Sequence, residues 1–196
     1  MPILAKPTDR HWKPWKNGGG DTMDVAVFPD TAGFDDFDWR VSIARVAEAG
    51  PFSIFPGVDR TLAILHGAGV VLTIGGAAPV VVTTASEPRS FSGDLPTAAE
   101  LIDGPVMDLN VMTRRGRVGH HMRRLDVQST QHLDLKHAVL LWVNGSADIT
   151  TPGGVFQPEP LEALACDAPA RWTVTPHGAA LFYLIELTAI TVGLRL

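Results

Sequence analysis

Glycine and proline interrupt this sequence too often for long helices. The 196 residues contain 19 glycines and 15 prolines, spread along the whole chain. In a helix interior each glycine costs about 1 kcal/mol and each proline about 3 kcal/mol relative to alanine. Short runs rich in valine, isoleucine, leucine and threonine lie between these breaks, as in β-strands joined by tight turns. The sequence therefore predicts an all-β protein.

Ten segments carry the strand pattern most clearly. They are Thr22–Phe28, Trp39–Ala47, Leu62–Leu65, Val70–Ile74, Pro79–Thr83, Val106–Met112, Arg117–Asp126, Ala138–Val143, Arg171–Thr175 and Ala180–Leu187. Helical signals are confined to Thr97–Ile102, between a proline and a glycine, and to Pro160–Leu164. We predict only short helices there, neither longer than about two turns.

An internal repeat indicates two similar halves. The segment 65–76 aligns with the segment 143–154, and the shift from 65 to 143 is a constant offset of 78 residues. The alignment pairs Gly67 with Gly145, Thr73 with Thr151, and one double glycine with another. Each copy has the pattern of a β-hairpin with a glycine turn. We expect two β-barrel halves in a single unit, at approximately residues 12–115 and 116–196.

Charge and composition restrict the partners. The chain has 16 Lys+Arg against 21 Asp+Glu, a net charge of −5, whereas general nucleic-acid binders are strongly basic. Arginines 114, 115, 117, 123 and 124 form a local basic patch, most simply explained as a solvated hairpin tip. No signal-peptide core or membrane span is evident in the sequence. We expect a cytoplasmic protein with neither nucleic acid nor membrane as a partner.

Metal-binding and nucleophile signals are weak. The histidines at 11, 66, 120, 121, 132, 137 and 177 form no His-x-His pair, so we expect no bound metal and no cofactor. The single cysteine, Cys166, excludes an intramolecular disulfide and lies in an apolar setting typical of an inert thiol. No Gly-x-Ser-x-Gly elbow is present.

Three segments are unusual enough to be site candidates. The first, 14–22, contains three consecutive glycines, which suit either an extended turn or a close approach of a ligand. The second candidate is a pair of predicted strands: alternation puts Arg40 with Ser42 on one face of the first strand, and Asp108 with Asn110 on one face of the second. These faces are either the solvated side of a sheet or the wall of a polar pocket. The third, 50–62, carries aromatics that most often pack in a core, and Arg60 beside Asp59 resembles a solvated pair.

Taken together, these segments resemble the HutD family. The matching pieces are Pro14-Trp15-Lys16-Asn17-Gly18-Gly19-Gly20 with Thr22, Phe37–Ala44, Gly50–Ser53, Phe55–Gly57 with Asp59-Arg60, Phe91-Ser92-Gly93-Asp94, and Gly104–Met112. The resemblance is specific over about Trp12 to Arg117 and then becomes a general strand pattern. Two local departures are Asp24, where a glutamate is expected, and His66, where an acidic residue is common.

The resemblance implies a bicupin, which is two cupin-type β-barrels in one chain. Family members occur beside histidine-degradation genes, some resemble the Ves protein, and the family lacks the cupin metal ligands. The family is thought to bind a small acidic intermediate, such as formylglutamate or formiminoglutamate, and to hold pathway flux in check. A defined catalytic activity is not established for it.

Residue roles follow for such an anionic ligand. A guanidinium can grip a carboxylate with two hydrogen bonds, which favours Arg40. The expected ligand-binding set is Trp15, Asn17, Gly18, Gly19, Gly20, Thr22, Arg40, Ser42, Phe52, Arg60, Asp108, Asn110 and Met112. The polar members would orient amide or formyl groups, the glycine N–H groups would form an anion-accepting concavity, and Asp108 would orient Arg40 or Arg60. Trp39 is expected to help wall the pocket.

Three functional hypotheses remain open on these residues. The first is a metal-free binder of a small anionic metabolite that regulates histidine degradation. The second is a metal-independent isomerase or hydrolase acting on a formylated or imino amino acid, with Asp108 as general base. The third is a partner-binding subunit whose barrel is filled by its own side chains. A homodimer is compatible with each.

Overall fold

The structure is a computed structural model that describes residues 11–15, 18–33 and 35–190. Across these residues there are eighteen β-strands and no helix. The strands are β1 Lys13–Pro14, β2 Gly20–Phe28, β3 Trp39–Val46, β4 Gly50–Pro51, β5 Val58–His66, β6 Val70–Ile74, β7 Val80–Val82, β8 Arg89–Ser92, β9 Thr97–Leu101, β10 Val106–Arg114, β11 Val118–Val127, β12 Gln131–Leu135, β13 Ala138–Asn144, β14 Ala147–Thr151, β15 Gly154–Phe156, β16 Ala163–Cys166, β17 Ala170–Pro176 and β18 Ala180–Ala189. The all-β prediction is confirmed. The described residues therefore include no helix whose length and hydrophobicity would let it cross a membrane.

The two short helices predicted from the sequence are wrong. Residues 97–101 form strand β9, because Thr97 and Ala99 are buried while Ala98 and Glu100 are exposed, a period of two. Strand β9 pairs along its length with β6. The segment 160–164 turns at Leu161, whose φ of 68° is left-handed, and then enters β16.

The chain divides into two compact units, residues 11–119 and residues 120–189, with Ile190 grouped with the first. The first unit has sheets in the order β1-β2-β3-β10-β5-β8 and β4-β9-β6-β7. The second has sheets in the order β11-β18-β13-β16 and β12-β17-β14-β15. Adding eight to each number from β3 to β10 converts one pattern into the other. Strands β1 and β2 are additions to the first unit.

Gly67 and Gly145 occupy the equivalent turn in the two units, after β5 and after β13. Their φ angles are 95° and 88°. A Cβ added at Gly67 would lie 2.7 Å from the carbonyl oxygen of Pro105, and one at Gly145 would lie 2.2 Å from that of Ala179. Both glycines are therefore required by a left-handed backbone and by close contact with a neighbouring backbone.

We expect Gly145→Ala to destabilise the protein by about 3 kcal/mol, since it adds a backbone clash to the 1–3 kcal/mol cost of a left-handed non-glycine residue. Urea or thermal unfolding would measure this. Gly178→Ala is the matched control, because φ there is 110° but nothing lies within 4 Å of the added Cβ. Equal losses in the two variants would contradict the role given to the Ala179 contact.

Apolar packing fills only part of the first unit's interior. Its core residues are Ala44, Val46, Leu62, Ile64, Val70, Leu72, Val82, Ala99 and Val106. Along β3 and β5 the inward side chains change from apolar at the carboxyl end to polar at Arg40 and Arg60. Strand β10 lies between β3 and β5 and adds Asp108 and Asn110 beside this polar end. This end of the first unit holds the candidate site.

The second unit has an apolar interior along β13 and β18, which correspond to β5 and β10. Its core extends over β11 to β18 and includes Leu140, Trp142, Trp172 and Phe182. The offset of 78 residues that relates the two repeats puts Ala138 at the position of Arg60. Arg60, which is buried in the first unit, thus has the small apolar residue Ala138 as its counterpart in the second.

Candidate functional site

Sheet register brings two arginines to opposite sides of Met112. On β10, Met112 pairs with Arg40 of β3 on one side and with Arg60 of β5 on the other. Neighbouring strands lie about 4.8 Å apart, so the Cα atoms of the two arginines are roughly 10 Å apart. In the next row inward, Asn110 pairs with Ser42. Strand pairing therefore sets the spacing of the cationic groups.

These side chains line a cavity of about 610 Å³ in the first unit. The volume falls in the range of small-molecule sites, about 300–1,000 Å³. Nine residues of the predicted set line it: Trp15, Thr22, Arg40, Ser42, Phe52, Arg60, Asp108, Asn110 and Met112. Lys13, Pro14, Ala44, Pro51, Ser53 and Phe55 also line it and were not predicted. The third hypothesis required a barrel filled by its own side chains, whereas the interior of the first unit contains this cavity.

The remaining predicted residues lie elsewhere. Asn17 falls outside the described residues, and Gly18, Gly19 and Gly20 are not part of the cavity lining. The Gly18 N–H donates to the Trp15 carbonyl, and a Cβ at Gly20 would lie 2.2 Å from the Arg45 carbonyl oxygen. The glycines thus serve a tight turn beside Trp15 instead of the expected anion-accepting concavity.

Trp39 does not wall the cavity. It lies on the opposite face of β3 from Arg40, as strand alternation requires, and its ring stacks on Phe28 with centroids 6.3 Å apart. Trp15 does line the cavity, where its indole Nε1–H donates to the Thr22 hydroxyl at 2.7 Å. This bond fixes the ring against β2.

Arg40 is oriented by Asp24. The guanidinium is 4% exposed, and its Nε donates to Asp24 Oδ1 at 2.6 Å. The other oxygen of Asp24 accepts from Lys13 Nζ at 3.1 Å. Asp24 pairs with Ser42 in the sheet, which places it beside Arg40. The sequence suggested Asp108 as the carboxylate orienting Arg40 or Arg60, but Asp24 has that position for Arg40.

Arg60 is buried among three aromatic rings. Its guanidinium carbon lies 5.2 Å from the Phe52 centroid, 5.6 Å from Phe55 and 5.2 Å from Phe91, within cation–π range. One terminal nitrogen donates to Asn110 Oδ1 at 2.9 Å, and the other to the Ser53 carbonyl at 3.4 Å. Its Nε is buried with no partner among the described residues. Arg60 is therefore not the solvated partner of Asp59 that the sequence suggested.

The burial of Arg60 lowers its pKa to about 10, and the nearby Asp108 carboxylate opposes this decrease. At neutral pH the guanidinium therefore remains charged. A buried charge with an unsatisfied donor is costly, and a ligand anion would offset that cost.

Asp108 is a nearly enclosed carboxyl group, only 2% exposed. Asn110 donates to it from Nδ2 at 2.6 Å, and this direction is fixed because Asn110 Oδ1 accepts from Arg60. Burial raises the pKa of Asp108 to about 7, and the positive charge of Arg60 and the Asn110 hydrogen bond oppose the rise. Near neutral pH Asp108 therefore exists in both protonation states.

The cavity has a net positive charge. Lys13, Arg40 and Arg60 supply three cations, against the carboxylates of Asp24 and Asp108. The formal charge is +1 when Asp108 is ionised and +2 when it is protonated. The walls are mainly apolar and aromatic, and such surroundings strengthen electrostatic attraction. The charge of the cavity therefore attracts anions and repels cations.

The donor set does not fit a metal ion. The lining has one carboxylate, Asp108, no histidine and no cysteine, and two guanidinium groups that would repel a cation. Metal sites in proteins use several such ligands around one ion. Over the described ranges there is likewise no cluster of three or more His, Cys, Asp or Glu suited to a metal.

The basic patch consists mostly of surface ion pairs. Arg115 pairs with Asp59 and Asp94, Arg117 with Asp38, Arg123 with Glu186, and Arg124 with Asp126. Arg114 instead donates to the backbone carbonyls of Phe37 and Asp35. Most of the patch is therefore neutralised locally.

Comparison with known proteins identifies the family. The HutD family model matches residues 8–183 of this chain. The chain belongs to the HutD family. This confirms the resemblance seen in the sequence, and the family is linked to histidine utilisation.

The relatives of this HutD-family chain include Protein Ves. Ves from Cronobacter sakazakii is 40% identical over 113 residues, 57% of this chain and 60% of that protein. Ves from Citrobacter koseri is 42% identical over 57% of this chain and 58% of its own length. The chain thus spans about three fifths of these curated relatives. An uncharacterised 21.2 kDa protein in the hutC 3′ region of Pseudomonas putida is 29% identical over 79% of this chain and 80% of its own.

Solved structures agree with both family and fold. A conserved protein of unknown function from Pseudomonas aeruginosa PAO1 has a TM-score of 0.88 at 29% identity, covering 96% of this chain and 98% of its own. HutD from Pseudomonas fluorescens SBW25 has a TM-score of 0.77 at 30% identity, covering 94% and 96%. Oxalate decarboxylase from Lactobacillus farciminis reaches 0.70 at 8% identity, covering 97% and 89%. With a cupin 2 barrel protein among the neighbours as well, the bicupin fold is confirmed.

Proposed function

We propose that this HutD-family chain binds a small carboxylate-bearing metabolite of the formylglutamate type and thereby regulates histidine degradation. The observation that carries the proposal is the pair of buried guanidinium groups, Arg40 and Arg60, at one apolar-walled cavity. Arginine is the side chain best suited to grip a carboxylate through two parallel hydrogen bonds.

In this proposal each carboxylate of the ligand meets one arginine. The row Arg40–Met112–Arg60 separates the two guanidinium groups by one strand, and the unsatisfied Nε of Arg60 supplies a donor. Ser42 and Asn110 line the next row inward and can orient an amide or formyl group. Lys13 stands at the exposed side of the cavity and adds attraction for the anion.

Two relatives support the link to histidine utilisation and to a carboxylate ligand. The Pseudomonas putida relative is described by its place beside hutC, and the Pseudomonas fluorescens HutD structure comes from a formate condition. Formate is itself a carboxylate. A binding protein without turnover would couple the level of a pathway intermediate to a regulatory output.

The enzyme alternative is favoured by the place of Asp108, an enclosed carboxyl group in the cavity lining whose pKa burial raises to about 7. A general base works best with a pKa near the operating pH. Incubating the purified chain with formylglutamate distinguishes the two functions: the binder leaves the compound unchanged, whereas steady conversion would establish the enzyme.

We expect Arg40→Ala to weaken formylglutamate binding by at least about 30-fold, because a charge-assisted contact worth about 2 kcal/mol or more is lost. Isothermal titration calorimetry would measure the affinity. Thermal stability should fall by about 1–3 kcal/mol, because a buried side chain is truncated, while Asp24 keeps its ion pair with Lys13.

Arg171→Ala is the matched control. Arg171 makes a two-hydrogen-bond pair with Asp134 but lies in the second unit and lines no part of the cavity. It should bind formylglutamate like the wild type. Wild-type affinity in Arg40→Ala would remove the basis of the proposed function.

A further inference from the structure

The segment Phe91–Asp94 was singled out in the sequence, yet of its four residues only Phe91 contacts the site, through Arg60. Gly93 and Asp94 instead bind the loop 52–57, which carries Phe52, Ser53 and Phe55 into the cavity wall, while the Ser92 hydroxyl donates to Asp94. We call Ser92, Gly93, Asp94 and Arg115 together the clasp. None of the four lines the cavity.

The clasp holds the loop through its backbone. The Phe55 N–H donates to the Gly93 carbonyl at 2.9 Å, and the Gly57 N–H donates to Asp94 Oδ1 at 2.8 Å. The Gly93 N–H in turn donates to the Val58 carbonyl at 2.7 Å. A Cβ at Gly93 would lie within 3 Å of the carbonyl oxygens of both Val58 and Phe55, so only glycine fits. The loop is therefore held by hydrogen bonds at Phe55 and at Gly57.

Arg115 connects the clasp to the strands that carry the site. Its side chain donates to Asp94 Oδ2 at 2.9 Å, to Ser92 Oγ at 2.9 Å and to Asp59 Oδ1 at 2.8 Å. Its backbone N–H donates to the Gly57 carbonyl at 2.8 Å. Arg115 follows the end of β10, which bears Asp108 and Asn110, while Asp59 precedes Arg60 on β5. Through its backbone and its guanidinium, Arg115 thus connects the loop to β5, β8 and β10.

The loop determines the surroundings of Arg60. Two of the three rings around the guanidinium, Phe52 and Phe55, lie on the loop, and the Ser53 carbonyl accepts one of its hydrogen bonds. We infer that Asp94 and Arg115, on the outside of the barrel, are positioning residues that hold this loop against Arg60 and so set the affinity of the cavity. The consequence for affinity rests on the proposed function, whereas the consequence for Arg60 does not.

The clasp differs from an ordinary surface ion pair, which contributes little. Asp94 accepts from a backbone N–H, a hydroxyl and a guanidinium at once, and these three contacts hold its pKa down at about 2. It therefore stays ionised throughout the physiological range. The geometry it fixes belongs to a binding loop, where a displacement of about 1 Å can change function strongly.

The test compares Asp94→Ala, Asp94→Asn and Arg115→Ala in the full chain with Asp134→Ala, which breaks an ion pair in the second unit. The first readout is solvent exchange of the Arg60 Nε–H in ¹⁵N-resolved NMR, assigned by its loss in Arg60→Lys. The second is hydrogen exchange of the Phe55 and Gly57 amides. The third is formylglutamate affinity by calorimetry.

We expect Asp94→Ala and Arg115→Ala to speed exchange of the Arg60 Nε–H at least about tenfold and to weaken formylglutamate binding about tenfold. Asp94→Asn should be intermediate, because its amide oxygen still accepts from Gly57. Asp134→Ala should match the wild type in every readout. Unchanged Nε–H exchange in Asp94→Ala would overturn the inference, as would wild-type affinity in a variant whose loop amides exchange faster. If the wild type fails to bind formylglutamate, the proposed function is wrong, and the Nε–H exchange still decides the role of the clasp.

Discussion

Replacing Arg60 with methionine is expected to lower formylglutamate affinity at least about 30-fold while leaving the chain folded and close to the wild type in stability. Loss of a buried charge-assisted contact costs about 2–5 kcal/mol, and each 1.4 kcal/mol is a factor of about ten in affinity. Stability should survive because methionine suits a pocket of three phenylalanines, and the substitution removes a buried charge whose Nε has no partner.

Calorimetry and thermal unfolding measure the two halves of this prediction. Arg89→Met is the matched control, since Arg89 lies on the neighbouring strand β8 but is exposed and outside the cavity lining. It should leave affinity unchanged. If Arg60→Met bound formylglutamate as tightly as the wild type, the buried Arg60 guanidinium would not be a ligand contact.

Asp108→Asn is expected to alter how stability depends on pH. The pKa of Asp108 rises from 3.8 in the unfolded chain to about 7 in the native state, mainly through burial. Below about pH 4 both states hold the proton, and the stabilising contribution is complete. As pH rises to about 7 the unfolded chain ionises first, so this contribution is lost, by about 4 kcal/mol at most.

The variant keeps the acceptor for Asn110 but cannot ionise, so it lacks this loss. Its unfolding free energy relative to the wild type should therefore increase between pH 4 and pH 7.5. Urea unfolding at a series of pH values measures the difference. Parallel curves for the two proteins would show that Asp108 does not titrate in this range.

The same carboxyl group gives opposite pH profiles for binding and for catalysis. As Asp108 ionises, its charge competes with the ligand for Arg60, so wild-type affinity for formylglutamate should fall between pH 6 and pH 8. In Asp108→Asn it should stay level. An enzyme with Asp108 as general base would instead gain activity over this range, and the same variant would be inactive.

Strand position could be predicted from sequence where apolar runs are long. Val70–Ile74 is observed with the predicted bounds, and the strand predicted from Val106 extends only two residues further. Strands β4 and β8 were missed because each is short and pairs with a strand distant in sequence. Strand β1 was missed because it has only two residues, and β12 and β15 were also absent from the predicted strands. Strand β9 was mistaken for a helix because alanine and leucine favour helices, whereas pairing with β6 decides its conformation.

The site could be predicted in part for the same reason. Alternation along β3 and β10 placed Arg40, Ser42, Asp108 and Asn110 correctly on shared faces. Lys13 and Asp24 were missed, because their association with Arg40 depends on the pairing of β1, β2 and β3. The aromatic surroundings of Arg60 depend on a loop held by distant hydrogen bonds, and no periodicity in the sequence reports these.

The alanine that stands at the Arg60 position in the second barrel has a consequence for how members of this family diverge. A duplicated fold needs only one of its copies to recognise a ligand, and the other is then selected for packing alone. Changes of specificity among relatives should accordingly concentrate at inward positions of β3, β5 and β10, while β13 and β18 exchange one hydrocarbon side chain for another.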